Sequence, residues 1–262
     1  MLDFGKKERF LVELITITKD NLEQEHICCA ISNHQDCQVV SKKKWLAQRL
    51  EEGLVFTKGN VRGKCFIEYI PAEQAWAPIE ADGYMYINCL WVSGQYKGKG
   101  YSNQLLESCI NDSKAKGKKG LVILSGHKKL PFLSDPRYLK YKGFKEVDEA
   151  SPYFKLWMLS FSKEEAELPR FKSQAKVPHI EEKGFVLYYT HQCPFTAKYV
   201  PMIEQIAKER NVPFHSICIK TKKEAQEAPS PFTTYSLFYE GNFISHEILS
   251  DKKFEKLINH QV

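Results

Sequence analysis

Short blocks of apolar residues, separated by polar turns, run through the first 160 residues and predict a mixed α/β fold. Residues 9–18 and the segments LVFTK, KCFIEYI and YMYINCLWV have the alternating or continuous apolar character of strands, and GNVRG supplies a hairpin turn. One helix is predicted from about Asp20, a plausible N-cap, and a second from Ser41 to Gly53.

The later segments complete one domain and begin another. LESCI lies on a helix, LVILS reads as a buried strand, PRYLKYKG as a short helix, and FKEVDEASPYFKLWMLSF as two strands. The charged, proline-containing stretch 163–182 is predicted to be a linker or a wrapping segment. From residue 183 a fresh strand–helix–strand pattern starts, followed by a helical turn, a hairpin and a final helix. We therefore predict domains at residues 1–162 and 183–262.

Composition narrows the class of protein. With 262 residues, 43% of them hydrophobic and 27% charged, the chain is ordinary globular material. Its apolar runs are too short to cross a bilayer and MLDFGKKERF lacks a signal-peptide core, so we expect a cytoplasmic protein with no membrane contact. The eight cysteines show no disulfide-framework spacing, which agrees with a reducing compartment.

The net charge of +6 is too modest, and its pattern too unlike a known module, to predict nucleic-acid binding. The excess of lysine falls around SKKKW, YKGKGY, KAKGKKG and GHKK. Most of these lysines are typical of solvated turns. The lysines that flank a glycine-rich loop are equally well explained by a small polyanionic ligand.

That glycine-rich loop lies in NCLWVSGQYKGKGYSNQLLESCI, between a predicted strand and a predicted helix. Gly94, Gly98 and Gly100 allow sharp turns, and free backbone N–H groups at a helix N-terminus attract an anion such as a phosphate. A Walker A loop is excluded because Ser or Thr does not follow Lys99. A dinucleotide fingerprint lacks its third glycine, since Asn103 stands there. A third pattern, Gln-x-x-Gly-x-Gly, is matched by Gln95 and two of the glycines.

On that motif and its strand–loop–helix context, residues 9–161 resemble the GNAT superfamily of acetyl-CoA-dependent acyltransferases. The resemblance implies that acetyl-CoA is the co-substrate, with no metal. It also implies that the amides of residues 95–100 hold the coenzyme A pyrophosphate and that the strand before the loop lies beside the pantetheine arm. The cofactor-binding residues so predicted are Leu90, Trp91, Val92, Gln95, Tyr96, Lys97, Gly98, Lys99, Gly100 and Tyr101.

The same resemblance implies that an amine, on a small molecule or a peptide, attacks the acetyl thioester. The family often uses a tyrosine four residues before a Gly-Phe pair as the general acid that protonates the leaving thiolate. Here that position is Leu139, flanked by Tyr138 and Tyr141. Tyr138 is the candidate acid that we carry forward. His127, just after LVILS, is the candidate base, with Glu80 and Asp82 as further candidates. The sequence leaves the acceptor and the oligomeric state open.

Two cysteine-containing segments could carry further chemistry. HICCAISNHQDC has enough soft ligands to suggest zinc, but Cys28 and Cys29 are adjacent and diverge by about 100° on a helix. The usual C-x-x-C spacing is also absent, so we predict packing cysteines and no metal.

The second segment, YYTHQCPFT, places Cys193 between a strand and a helix, where amide dipoles stabilise a thiolate. This arrangement resembles a thioredoxin or glutaredoxin fold, in which His191 could assist the thiol. Thr196 fills the second redox position and excludes a two-cysteine cycle at this motif. We therefore expect Cys193 to be among the most alkylation-prone of the cysteines.

The whole chain resembles bacterial acetyltransferases with a C-terminal YoaP-like domain, on EHICCAI, FIEYIPAEQAW, VSGQYKGKGY and CPFT. The leading hypothesis is an acetyl-CoA-dependent N-acyltransferase built from a GNAT domain and a thioredoxin-like α/β domain. Two alternatives stay open. One is a protein that binds or senses coenzyme A without transfer, and the other is a thiol-dependent redox protein acting through Cys193.

Overall fold

The computed structural model of the protein describes residues 11–27, 33–162 and 167–261. Its larger sheet has seven strands in the order β1-β2-β3-β5-β6-β8-β7. These strands are β1 (Leu14–Thr16), β2 (Val55–Gly59), β3 (Cys65–Pro71), β5 (Met85–Val92), β6 (Gly120–Gly126), β7 (Lys145–Ala150) and β8 (Phe154–Ser160). A separate two-stranded sheet pairs β4 (Ile79–Glu80) with β9 (Arg170–Phe171).

Neighbouring strands of the seven-stranded sheet are antiparallel except at its centre, where β5 and β6 run parallel. That pairing covers only residues 85–87 against 121–123. On the other side of β5 the register slips, so that Glu68 faces Cys89 while Tyr69 faces Ile87. Asn88 is therefore the extra residue of a β-bulge, a device that bends a strand and redirects its side chains. Beyond Asn88 the two parallel strands no longer pair, and a cleft opens between them.

Helices cover both faces of this sheet. On one face, α2 (Tyr101–Ala115) buries Leu105, Leu106 and Cys109 in a core that also contains Leu139 of α3 (Pro136–Tyr141). On the other face, α1 (Cys37–Glu51) contributes Trp45 and Leu46 to a second core, together with β-strand side chains that include Phe56, Phe66 and Phe154. The period-two alternation along β3 and β6 divides their apolar residues between the two cores.

Two predictions from the sequence need correction. The helix expected from Asp20 is a series of turns, because Asn21 bonds the backbone at Thr18 and Thr16 instead of leaving it to a helical ladder. The second helix begins at Cys37, capped by Asp36, rather than at Ser41. Of the two alternatives for the stretch between the units, a linker or a wrapping segment, the described residues 167–182 form a wrapping segment.

In that wrapping segment, β9 pairs with β4 and the side chain of Phe171 is buried. The short helix α4 (Ser173–Lys176) follows, and Lys176 bonds Asp148 of β7 at 2.9 Å. Cys28 and Cys29 of the suspected zinc segment lie outside the described residues. Within the described ranges no group of three or more potential metal ligands occurs.

The second unit has a four-stranded sheet in the order β11-β10-β12-β13. Parallel strands β10 (Phe185–Tyr189) and β11 (Phe214–Cys218) are joined through α5 (Thr196–Glu209). After α6 (Lys222–Gln226), the antiparallel strands β12 (Tyr235–Tyr239) and β13 (Asn242–Ser245) lead to α7 (Asp251–Gln261). This is the element order that the alternating pattern after residue 183 predicts.

The two units share a packed, hydrogen-bonded contact. Trp76 of the first unit is buried against Ile219, Ala225 and Ala228 of the second. Gln226 donates to the carbonyl oxygens of residues 73 and 75. Because buried apolar surface and satisfied polar groups both contribute, this contact fixes one unit against the other and closes one side of the central cleft.

Candidate active site

The glycine-rich loop joins β5 to α2 by backbone conformations that favour glycine. Gly94, Gly98 and Gly100 have φ angles of 61°, 76° and 85°. A Cβ added to any of the three would meet no atom within 4 Å, so the loop borders open space. Gly100 is the N-cap of α2 and, without a side chain, cannot cap the helix itself.

The backbone N–H groups of residues 98–102 form the cradle of this site. Among the described residues, none of these five N–H groups has a hydrogen-bond acceptor, whereas Asn103 and Gln104 already donate to the Gly100 carbonyl. Consecutive free amides at the start of a 15-residue helix carry partial positive charge toward one point. The cradle is thus suited to a phosphate group.

A groove of about 910 Å³ runs along this loop. It is bordered by residues predicted from the sequence to bind the cofactor, namely Leu90, Trp91, Val92, Tyr96, Lys97, Gly98, Gly100 and Tyr101. Two other predicted residues do not line it. Gln95 donates to the Tyr96 hydroxyl at 3.0 Å, and the Lys99 ammonium lies 6.0 Å from the centroid of the Tyr96 ring. Both therefore support Tyr96.

The groove continues into the cleft between β5 and β6. A cavity of about 500 Å³ fills that cleft and shares Leu90, Trp91, Leu133 and Ser134 with the groove. A further cavity of about 640 Å³ shares Asn88 and other residues with the cleft and extends to Cys193. One continuous path thus leads from the loop amides, past the bulge, to the second unit.

A buried charged cluster lies beside the bulge. Lys42 of α1 and Glu68 of β3 are each 1% exposed and form an ion pair of 2.5 Å. Asn88 donates to the other carboxylate oxygen of Glu68 at 2.9 Å. This bond fixes the orientation of the amide, since the reverse orientation would place two acceptors together. The Asn88 Oδ1 atom is buried, and no described residue donates to it.

The proton-transfer candidates have different places. Tyr138 lines the groove, and its hydroxyl donates to the Ser102 carbonyl at 3.1 Å, while burial raises the pKa of the phenol. Leu139, at the position the family motif reserves for tyrosine, is buried in the core. His127 is exposed and lines neither the groove nor the two cavities. The structure does not bring His127 to the path.

The other base candidates also lie elsewhere. Glu80 pairs with Arg170 in the two-stranded sheet, and Asp82 is exposed in a turn. Tyr141 is 78% exposed and does not line the groove.

Cys193 lies one turn before α5, at the inner end of the path. It is half-buried and lines the larger of the two cavities, as does Cys89 of β5. The carbonyl of Cys193 accepts hydrogen bonds from the amide and the hydroxyl of Thr196, the first residue of α5. Thr196 therefore has a structural role, closing the turn that holds the cysteine.

A buried histidine of the second unit holds one wall of the cleft. His246 is 3% exposed, and its Nε2 lies 2.8 Å from the Pro131 carbonyl, which can only accept. Nε2 therefore carries the proton, and Nδ1 accepts from the Tyr153 hydroxyl at 2.6 Å. Burial lowers the pKa of His246 and raises that of Tyr153 to about 12. The neutral histidine ties the loop containing Phe132 to the second unit.

Sequence reasoning missed Lys42, Glu68 and Asn88. A usable signal was present, because Glu68 interrupts the apolar strand CFIEYI at an inward position and Asn88 interrupts YMYINCLWV. A charged residue inside an apolar strand implies a buried partner. The partner itself, in a helix 26 residues earlier, cannot be read from the spacing.

Comparisons with known proteins agree with this architecture. The family model described as "Acetyltransferase (GNAT) family" matches residues 19–131, and the model described as "YoaP-like" matches residues 213–256. A protein of Bacillus subtilis (strain 168) described as "Uncharacterized N-acetyltransferase YoaP" is 49% identical over 246 residues, covering 94% of this chain and 98% of that protein.

Similar solved structures are described as acetyltransferases. PaiA N-acetyltransferase from Thermoplasma acidophilum, in complex with coenzyme A, is 14% identical and covers 58% of this chain and 99% of that one, with a TM-score of 0.40. A GNAT family acetyltransferase from Brucella melitensis, in complex with acetyl-CoA, is 12% identical and covers 62% and 97%, with a TM-score of 0.36.

The matching family model and the mixed sheet with its loop before α2 define a GNAT acetyltransferase unit. Because the chain is 49% identical to the Bacillus protein over nearly its full length, it belongs to the GNAT acetyltransferases that carry a C-terminal YoaP-like domain. None of the described helices has both the length and the apolar character needed to cross a membrane.

Proposed function

We propose that the protein transfers the acetyl group of acetyl-CoA to the amine of a small molecule, forming an N-acetyl product and coenzyme A. The observation that carries the proposal is the run of unbonded amides at residues 98–102, at the end of β5 and the start of α2. The pyrophosphate would bind these amides. The pantetheine arm would lie along Leu90, Trp91 and Val92 toward the cleft.

The reaction then takes place where β5 and β6 separate. The lone pair of a neutral amine attacks the thioester carbonyl carbon, a C–N bond forms and the C–S bond breaks. The nitrogen loses one proton to solvent water, and the departing thiolate gains one. Tyr138 borders the groove, but its hydroxyl proton is engaged with the Ser102 carbonyl, so we assign the protonation of the thiolate to water.

For the second unit we propose a thioredoxin-like fold, supported by its strand order and by Cys193 at the turn between β10 and α5. We also propose unit boundaries at residues 1–162 and 183–262, which agree with the separate seven-stranded and four-stranded sheets. The sequence predicts a bacterial, cytoplasmic enzyme, and the Bacillus relative supports the bacterial origin.

The test is direct. Purified protein is mixed with acetyl-CoA and a panel of primary amines, and free coenzyme A is detected with a thiol reagent while the N-acetyl product is identified by mass spectrometry. We expect amine-dependent release of coenzyme A. Tight binding of acetyl-CoA without release in the presence of any amine would support the alternative of a non-catalytic coenzyme A-binding protein.

A further inference from the structure

The 640 Å³ cavity at the inner end of the path has walls from both units. The first unit contributes side chains of α1, β3 and β5, among them Phe66 and Trp91, and the second contributes Phe195 and Phe232. Since the cavity shares residues with the cleft where the acetyl group would lie, it is placed to hold the body of the acceptor.

Aromatic side chains make most of this cavity apolar, and a few polar groups are placed among them. Asn88 lines both the cavity and the cleft, and its buried Oδ1 atom has no donor among the described residues. An amine N–H is the donor this oxygen lacks. A buried acceptor without a donor is energetically unfavourable, so an amine that donates to this oxygen would bind favourably here.

The charges around the cavity favour an acceptor that also carries an anion. Lys42 and Glu68 neutralise each other as a buried pair. Lys64 also lines the cavity, and its ammonium lies 5.7 Å from the centroid of the Phe195 ring. No carboxylate pairs with Lys64 in the part of the chain that the structure describes, so the cavity has one cation in excess.

From these groups we infer that the acceptor is a small amino acid-like molecule, with an apolar side chain and a carboxylate, bound in a pocket that the second unit completes. The inference rests on the proposed acetyl transfer. The Asn88 oxygen receives the amine N–H, the aromatic walls of the cavity hold the side chain, and Lys64 attracts the carboxylate. The YoaP-like unit is accordingly a wall of the acceptor site rather than an independent module.

The experiment compares matched acceptors on the full chain. L-Phenylalanine, L-leucine and L-methionine are each tested against the amine that lacks the carboxylate, and a lysine-containing peptide is the third class of acceptor. We expect at least one amino acid to have a kcat/KM about tenfold or more above that of its matched amine, the effect of roughly one screened charge pair. The peptide should be a poor acceptor.

Three substitutions test the assignment of Lys64. Lys64→Met should lower kcat/KM for the amino acid about tenfold and leave the matched amine unchanged, whereas Lys64→Arg should retain the preference. Lys252→Met, on the exposed surface of α7, is the control and should change neither. The Kd of acetyl-CoA should stay the same in all three variants, which also shows that each one folds.

The outcomes separate the inference from the function on which it rests. Release of coenzyme A with peptides or simple amines but with none of the amino acids would overturn the acceptor class and leave acetyl transfer standing. Equal losses for amino acid and amine in Lys64→Met would overturn the role of Lys64. A protein that does not bind acetyl-CoA at all would refute the proposed function itself.

Discussion

Replacing Gly98 by aspartate or by asparagine separates charge from conformation in the anion cradle. The residue has φ 76°, and a Cβ built on it meets nothing within 4 Å, so neither side chain clashes with the protein. Asparagine and aspartate are the non-glycine residues that best tolerate this conformation, and both carry a similar conformational cost, about 1–2 kcal/mol. Only the charge differs between the two variants.

The expected effect of that charge follows from Coulomb's law. A carboxylate about 5 Å from a phosphate oxygen costs roughly 1 kcal/mol at the dielectric constant of water and about 3 kcal/mol at an effective value of 20. The Kd of acetyl-CoA should therefore be about 5- to 150-fold higher for Gly98→Asp than for Gly98→Asn. Isothermal titration calorimetry at two salt concentrations measures both, and the difference should shrink at high salt.

The comparison has a clear failing result. If both variants bind acetyl-CoA with the same Kd at low salt, no anion lies near Gly98 and the cradle has been assigned wrongly. Thermal stability without ligand is the control, because the two variants should melt at similar temperatures. In the parent protein, acetyl-CoA should raise the melting temperature by mass action.

Four further predictions concern other parts of the structure. Lys42→Met leaves a carboxylate buried without its cation and should destabilise the protein by about 3–5 kcal/mol in urea unfolding, so a loss under 1 kcal/mol would contradict the buried pair. Tyr138→Phe should keep most of any acetylation rate, and a drop of about 10²-fold or more with unchanged acetyl-CoA affinity would identify it as the acid. Burial lowers the pKa of His246. Its contribution to stability should therefore be complete above the unfolded pKa of about 6.5 and should be lost as pH falls through the folded pKa. His246→Asn should flatten this pH dependence of stability in melting curves between pH 7.5 and 5. Brief iodoacetamide treatment at pH 7 should label Cys193 and the exposed Cys37 ahead of the buried thiols. If mass-spectrometric mapping finds Cys193 unlabelled, its thiol is not accessible to the reagent from the cavity.

Other cysteines should react slowly in that experiment because burial raises the pKa of their thiols. Burial raises the pKa of the thiols of Cys65 and Cys218, and that of Cys109 to about 12. A thiol with a raised pKa holds little thiolate at neutral pH and reacts slowly.

The sequence by itself determined the elements whose signals are local. The glycines at positions 94, 98 and 100 can adopt conformations that other residues resist, so the loop was visible in the spacing alone. The apolar periods of α2 and β6, and the strand–helix–strand pattern after residue 183, likewise depend on neighbouring residues. The prediction of a helix at Asp20 was wrong for a local reason, since the side chain of Asn21 donates a hydrogen bond to the backbone carbonyl of Thr16.

Only the tertiary structure decided how distant residues meet. The bulge at Asn88 depends on pairing between β3 and β5, and the buried pair joins Lys42 of a helix to Glu68 of a strand. His246 reaches Pro131 across 115 positions of the chain. Packing of one unit on the other brings Cys193 to the cavity beside the cleft. Such contacts arise from the burial of whole faces, a long-range effect that no periodicity in the sequence specifies.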